Sequence, residues 1–329
     1  MTHIISSRTV LMLLSIFLWA GHSVTAQDDP NQKQTSNQTL KVFILAGQSN
    51  MQGQGVVDMD DPRDYNSGKG SLVWSMKNSN SKQHMKHLQD AGGNWIVRDD
   101  VFVRYQTENE LKRGGLTIGF TGYGGNHHIG PELQFGSVVG DHFSEPVLLI
   151  KTCWGGKSLS QDFRPPSAEG DTGKYYTQMM DEIDDALANI RTDFPQVKFK
   201  DYQLAGFVWM QGWNDMINEQ GRTEYPDNLV HLAADIRKEL KSPNLPIVVG
   251  ELGNGGEATP GSNMQLFRDA QKQGTGRIKN AVFVVTHPFA RPAEMSPNVG
   301  HGHHWFGNAE SYFLVGDALG KAMLQLTSQ

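Results

Sequence analysis

Five short runs of β-branched and other apolar residues recur along this chain: KVFILAG (41–47), PVLLIKT (146–152), LAGFVWMQG (204–212), PIVVGEL (246–252) and AVFVVTH (281–287). A strand that is apolar at nearly every position has to be covered on both faces, as in a parallel sheet flanked by helices. Helical patterns lie between the runs. In YYTQMMDEIDDALANI (175–190), Met179, Ile183, Ala186, Leu187 and Ile190 fall three and four residues apart and so share one face. YPDNLVHLAADIRKEL (225–240) repeats the pattern, and NAESYFLVGDALGKAMLQL (308–326) closes the chain with Asn308 as its cap. The alternation predicts a doubly wound α/β domain. Residues 52–135 do not follow it: they are glycine-rich and aperiodic, with GNWIVRDDVFVRY (93–105) as their only strand-like piece. A segment of that length in a compact domain is usually functional, and since it follows Ser49 directly it is expected to wall a site.

The N-terminus carries different information. Arg8, the apolar stretch VLMLLSIFLWAG (10–21) and the small residues Val24 and Ala26 make residues 1–26 a secretory signal peptide. The apolar stretch falls short of the ~20 residues that a membrane span needs. QDDPNQKQTSNQT (27–39) reads as a disordered spacer, leaving 40–329 as the working domain. The expected product is exported, to a periplasm or the extracellular space, with no membrane attachment once the leader is cleaved. Its one cysteine, Cys153, excludes an internal disulfide and reads as buried packing. A net charge of −6 with acids and bases interspersed gives no basic stripe for nucleic acid. Oligomeric state is not legible.

Ligands of open α/β sheets sit outside the carboxyl ends of the strands, and Ser49 lies at the end of the first run in VFILAGQSNM. A serine at the mouth of a turn can attack a carbonyl while the turn's amides hold the oxyanion. The G-x-S-x-G elbow is absent, because Met51 stands two residues after Ser49. Other strand ends add chemistry. WMQGWND (209–215) offers Gln211, Asn214 and Asp215, HHIGPELQFG (127–136) offers the Gly130 amide, and GHGHHW (300–305) supplies imidazoles that could act as a general base.

FILAGQSNMQGQG, GPELQFG, KTCWGGKSL (151–159), WMQGWND and the C-terminal histidine with its closing helix together resemble the SGNH hydrolase superfamily. Within it they are most similar to the sialate O-acetylesterase-like and acetyl xylan esterase group, carbohydrate esterase family six. The resemblance implies a flavodoxin-like three-layer α/β/α sandwich with a central parallel sheet. It also implies a serine esterase that removes O-acetyl groups from an acetylated sugar or polysaccharide, with no metal or other cofactor. Ser49 would be the nucleophile, His304 the base, and the oxyanion hole would draw on Ser49, Gly130 and either Gln211 or Asn214. Gln48, Trp154, Trp213 and Trp305 would face the sugar. The group's D-x-x-H block puts His301 where an aspartate is usual, so three outcomes are open: Glu310 or His301 itself is the orienting partner, a backbone carbonyl orients His304 in a dyad, or catalysis is impaired.

Two other readings come from the residues themselves. His301, His303 and His304, with His127 and His128, form an imidazole inventory that could hold a hydrolytic metal, although H-x-H-H matches no common ligand spacing. A carbohydrate binder that has lost turnover would keep Trp154, Trp209, Trp213 and Trp305 as sugar platforms, with Trp209 inside a strand better suited to the core.

Overall fold

The computed structural model describes residues 38–58 and 65–328. The leader assigned to 1–26 and nearly all of the spacer assigned to 27–39 lie outside the described residues. The strands are β1 (Thr39–Gly47), β2 (Gly55–Val56), β3 (Val101–Gln106), β4 (Leu111–Gly115), β5 (His128–Ile129), β6 (Val147–Cys153), β7 (Asp201–Met210), β8 (Ile247–Gly250) and β9 (Ala281–Val284). The helices are α1 (Ser49–Gln52), α2 (Leu72–Asn78), α3 (Glu132–His142), α4 (Lys174–Asp193), α5 (Trp213–Met216), α6 (Glu219–Glu239), α7 (Asn263–Gly276) and α8 (Ala309–Thr327).

Seven strands form one sheet in the order β4-β3-β6-β1-β7-β8-β9. The five strands anticipated from the apolar runs are all parallel, with β9 at an edge and β3 adding a sixth beside β6, and β6-β1-β7-β8-β9 is the 2-1-3-4-5 order of a flavodoxin-like sheet. Side chains of β1 alternate between two cores. Leu40, Val42, Ile44 and Ala46 pack with Met179 and Ile183 of α4, Leu229 and Leu232 of α6, and Phe267 of α7. Phe43 and Leu45 pack on the other face with Phe135 of α3 and Tyr312, Val315 and Leu319 of α8. The result is the three-layer α/β/α sandwich.

The structure corrects the sequence reading at several points. The sheet is not wholly parallel, because β4 runs antiparallel to β3 at one edge. Residues 52–135 hold more order than expected: α2, β3, β4, the small β2–β5 ribbon and the start of α3 all fall there. The strand foreseen in 93–105 begins only at Val101. Helix α6 starts at Glu219, where Asn218 caps it by accepting from the Gly221 amide, well before the apolar periodicity becomes visible. Helix α7 was not foreseen at all.

A buried ion pair ties the irregular segment to the sheet. Lys151 of β6 and Glu132 of α3 are 2.7 Å apart with side chains 0% exposed. Lys151 Nζ also donates to the carbonyls of Gln52 (3.0 Å) and Phe120 (2.6 Å), and Glu132 Oε1 accepts from the Gly130 amide (2.9 Å). One ammonium thus holds the end of α1, the 116–122 loop and, through Glu132, the β5 turn.

Candidate active site

The chain reverses sharply at the tip of β1. Gly47 has φ +151, and a Cβ there would collide with the backbone of Met210 on β7, so only glycine fits. Gln48 follows with its side chain turned into the protein, where Oε1 accepts from the amides of Gly212 (2.7 Å) and Trp213 (2.9 Å). That contact locks the β1 turn against the start of α5. Gln48 is therefore a tie between two strand tips, and the sugar contact expected of it is not where its amide points.

Ser49 opens α1, 7% exposed, and its Oγ lies 2.9 Å from Nε2 of His304. The pairing spans 255 residues of sequence. His304 sits in a turn in which Trp305 (φ 53) and Phe306 (φ 54) are left-handed although neither is glycine. Such residues cost roughly 1–3 kcal/mol each and persist only where their surroundings over-determine them. Here Asn50 Nδ2 donates to the His303 carbonyl (3.1 Å), and Tyr312 Oη donates to Asn50 Oδ1 (2.7 Å). Asn50, the residue after the serine, thus braces the backbone that carries the imidazole.

Among the described residues no carboxylate orients His304, and its buried Nδ1 has no hydrogen-bond partner there. Glu310 is engaged elsewhere, by Ser79 Oγ and by Arg291 Nε at 3.0 Å, and these donors hold its carboxyl below the usual range despite burial. His301 is also not the partner: its Nδ1 accepts from Asn298 Nδ2 (2.8 Å), and its ring centroid lies 6.1 Å from that of His304. Burial first, and then the neighbouring His303 and His301 imidazoles, push the His304 imidazole down to about 4. The neutral ring is thus the form present at neutral pH. The unfolded chain takes up this proton first, so its contribution to stability is lost as pH falls from the ordinary value of 6.5 towards about 4. In a pH profile of kcat/KM the acid limb is expected to be half-maximal near pH 4, and a limb at pH 6 or above would show that the ring is not held in this way.

Two of the groups expected to hold an oxyanion have partners within the protein. Gly130 donates its amide to Glu132, so it is already engaged. Gln211 donates Nε2 to Asp215 Oδ2 (2.6 Å) and the Lys157 carbonyl (2.9 Å), so its amide group faces away from the serine. Asp215 is fully buried and fastens the 157–160 loop through the amides of Leu159 (2.8 Å) and Ser160 (2.9 Å). Asn214, in α5 just beyond β7, is half-buried, and no side-chain hydrogen bond to it is present among the described residues. Gly155 also stands beside the serine. Strand β6 lies beside β1 with Cys153 opposite Gly47, and the Trp154 amide donates to the Gly47 carbonyl (3.2 Å). A Cβ on Gly155 would stand 3.7 Å from that of Ser49 and 3.1 Å from Gln52 Oε1. The signal was present in TCWGG, at the end of an apolar run, but the pairing of that run with β1 was not.

The aromatic residues divide sharply. Trp154, Trp209 and Trp305 are buried in the two cores, which removes them as sugar platforms. Trp213 is half-buried with its ring 5.5 Å from that of His303, at the mouth of the site. Cys153 is buried, and burial pushes its thiol up to about 12. His127 pairs with Asp58 at 2.7 Å and His128 stacks on Tyr123, both away from the C-terminal histidines. Among the described residues no three His, Cys, Asp or Glu side chains converge as a metal site would require, and no helix is long and apolar enough to cross a membrane.

Comparison with known proteins agrees with this geometry. The sequence profile described as "Carbohydrate esterase, sialic acid-specific acetylesterase" matches residues 39–325. The probable carbohydrate esterase At4g34215 of Arabidopsis thaliana is 22% identical over 240 residues, 72% of this chain and 78% of that protein. Its solved structure superposes with a TM-score of 0.54 at 18% identity, covering 87% of this chain and 98% of its own. XAC1771, a carbohydrate acetylesterase from Xanthomonas citri, gives a TM-score of 0.53 at 15% identity over 87% of this chain and 56% of that one. NanS gives a TM-score of 0.52 at 16% identity over 88% of this chain and 98% of that one. At these identities the structural likeness speaks for the fold. The profile match, which runs from the first residue of β1 into α8, speaks for descent: this chain is a carboxylic ester hydrolase that belongs to the sialic acid-specific acetylesterase family of carbohydrate esterases.

Proposed function

We propose that the chain removes acetyl groups from an O-acetylated carbohydrate through an acyl-enzyme on Ser49, with His304 as sole base. The observation that carries this reading is the 2.9 Å contact between Ser49 Oγ and His304 Nε2 at the strand tips. With its hydrogen on Nδ1, the neutral imidazole accepts the serine proton at Nε2 as Oγ bonds to the acetyl carbonyl carbon. The oxyanion rests on the amides of Ser49 and Gly155, with the Asn214 side chain as the third donor. Collapse breaks the bond to the sugar oxygen, which takes the proton from Nε2. Water then gives a proton to Nε2 of His304 as its oxygen bonds to the acyl carbon, and collapse breaks the bond between that carbon and Oγ, which takes the proton back from Nε2 as acetic acid leaves and ionises to acetate. Trp213 at the mouth offers the apolar face for a sugar ring. The leader read in residues 1–26 makes the enzyme an exported one.

Acetate release from a panel of acetylated sugars and a chromogenic acetate tests the reading, run with and without a chelator. Release that survives the chelator supports it. Release abolished by the chelator transfers the chemistry to a metal, and sugar binding without release makes the chain a binder.

The missing acid gives a separate prediction. A base held near 4 is a weak acceptor at pH 7, since general-base efficiency is greatest when the pKa is near the working pH. His301→Asp puts a carboxylate beside the imidazole, and is expected to raise kcat/KM at pH 7 about tenfold or more while moving the acid limb upward. An unchanged limb would mean that position 301 does not communicate with His304.

A further inference from the structure

Beneath the Ser49 turn, the tips of β7 and β8 and the His304–Phe306 turn enclose a small chamber. Gln48, Asn50, Gln211, Glu251, Asn254 and Trp305 contribute to its lining, and about 10 Å³ is open to the centre of a water molecule. Gln211, Asn254 and Trp305 are each 2% exposed, and each brings a buried polar atom that has no partner among the described residues: Oε1, Oδ1 and Nε1 respectively. The orientation of Gln211 is fixed by its other end, because Nε2 already donates to Asp215 and the Lys157 carbonyl. A buried polar group without a partner costs about 1–3 kcal/mol, and native structures keep few of them. The set here is one donor and two acceptors. A water molecule, which can accept one hydrogen bond and donate two, complements it, and the chamber is the size of one. A monovalent cation is a poor match, since the indole N–H would point its positive end at the ion.

We propose that a single buried water bridges Trp305 Nε1, Gln211 Oε1 and Asn254 Oδ1, and that Trp305 is through it a positioning residue for His304. The second half rests on the reading of Ser49 and His304 given above. Trp305 follows the base directly and is the first of the two left-handed residues in its turn. Asn50 and Tyr312 hold this turn by the His303 carbonyl. The water holds it by the indole, and ties it to the ends of β7 and β8. With both ties in place Nε2 stays within reach of Ser49 Oγ.

Two experiments test this on the full mature chain. Diffraction from wild-type crystals, at a resolution that shows ordered water, is expected to reveal one density peak within hydrogen-bond reach of all three atoms. Trp305→Phe keeps a ring but removes the donor, and Asn254→Leu removes one acceptor and fills the space. Each is expected to lower kcat about ten- to a hundredfold, as small misplacements of a reacting group do, with KM within about twofold. The double variant is expected to be no slower than the slower single one, because both remove the same bridge. Losses that multiply, or a chamber without a peak, would overturn the proposal. If the variants fail to fold, the wild-type density still decides the site. A peak in a protein without esterase turnover would keep the water, remove the positioning role and locate the failure in the assignment of Ser49 and His304.

Discussion

Ser49→Ala is expected to lower kcat/KM on a chromogenic acetate by about 10³-fold or more, with the melting temperature nearly unchanged. The size follows from the hydroxyl being the atom that bonds to the acyl carbon. Oxyanion donors and substrate positioning survive its removal, and these alone leave some acceleration over water. The structural effect is small because the Ser49 hydroxyl has His304 Nε2 as its hydrogen-bond partner, a net loss of about 1 kcal/mol, and alanine keeps the Cβ that packs beside Gly155. Competition by a non-hydrolysable sugar should be retained. A variant with half the wild-type rate would end the acyl-enzyme reading, and a collapse in melting temperature would attribute the loss to folding.

Lys151→Met is expected to destabilise the fold by about 3–5 kcal/mol, seen as a lower urea midpoint at unchanged slope. The substitution leaves the Glu132 carboxylate fully buried without its ammonium, and frees the carbonyls of Gln52 and Phe120. Lys151→Met combined with Glu132→Leu should recover part of the loss, because the unpaired charge is gone. The double variant cannot restore the tie to Gln52 at the end of α1, so turnover should recover less than stability does. A single variant within about 1 kcal/mol of wild type would mean that water reaches the pair, contrary to its burial.

What the sequence disclosed, and what it withheld, divides along physical lines. Strands β1, β6, β7 and β8 are legible because a strand buried on both faces is apolar throughout, and β9, though a half-buried edge, keeps the same kind of run. Helices α4 and α8 were legible because each turns one apolar stripe inward. Helix α7 was not, because much of its inward face is polar. Arg268 donates to the Leu252 carbonyl (2.8 Å) and Gln271 accepts from the Leu252 amide (2.9 Å), so these residues are buried by hydrogen bonds that no hydropathy pattern records. Edge strand β4, LKRGG, has no apolar run to reveal it. In the site, Ser49 and His304 were named from sequence and are brought together. The nearness of Gly155 to Ser49 is not legible, because which strand lies next to β1 depends on the sheet order. Trp154 and Trp305 read as platforms in the sequence because aromatic residues near a strand end look alike whether they face a cleft or the core.

The two members of the dyad belong to opposite ends of the chain: Ser49 follows the first strand, and His304 precedes the last helix. Synthesis therefore delivers the hydroxyl long before its base, and α8 follows both. A nascent chain that still lacks α8 holds both residues of the pair but not Tyr312, which braces Asn50 and through it the turn that carries the imidazole. Under the acyl-enzyme reading proposed above, ester cleavage is then a readout of finished folding, and trimming the C-terminus back past α8 is expected to silence the enzyme without touching either residue of the pair.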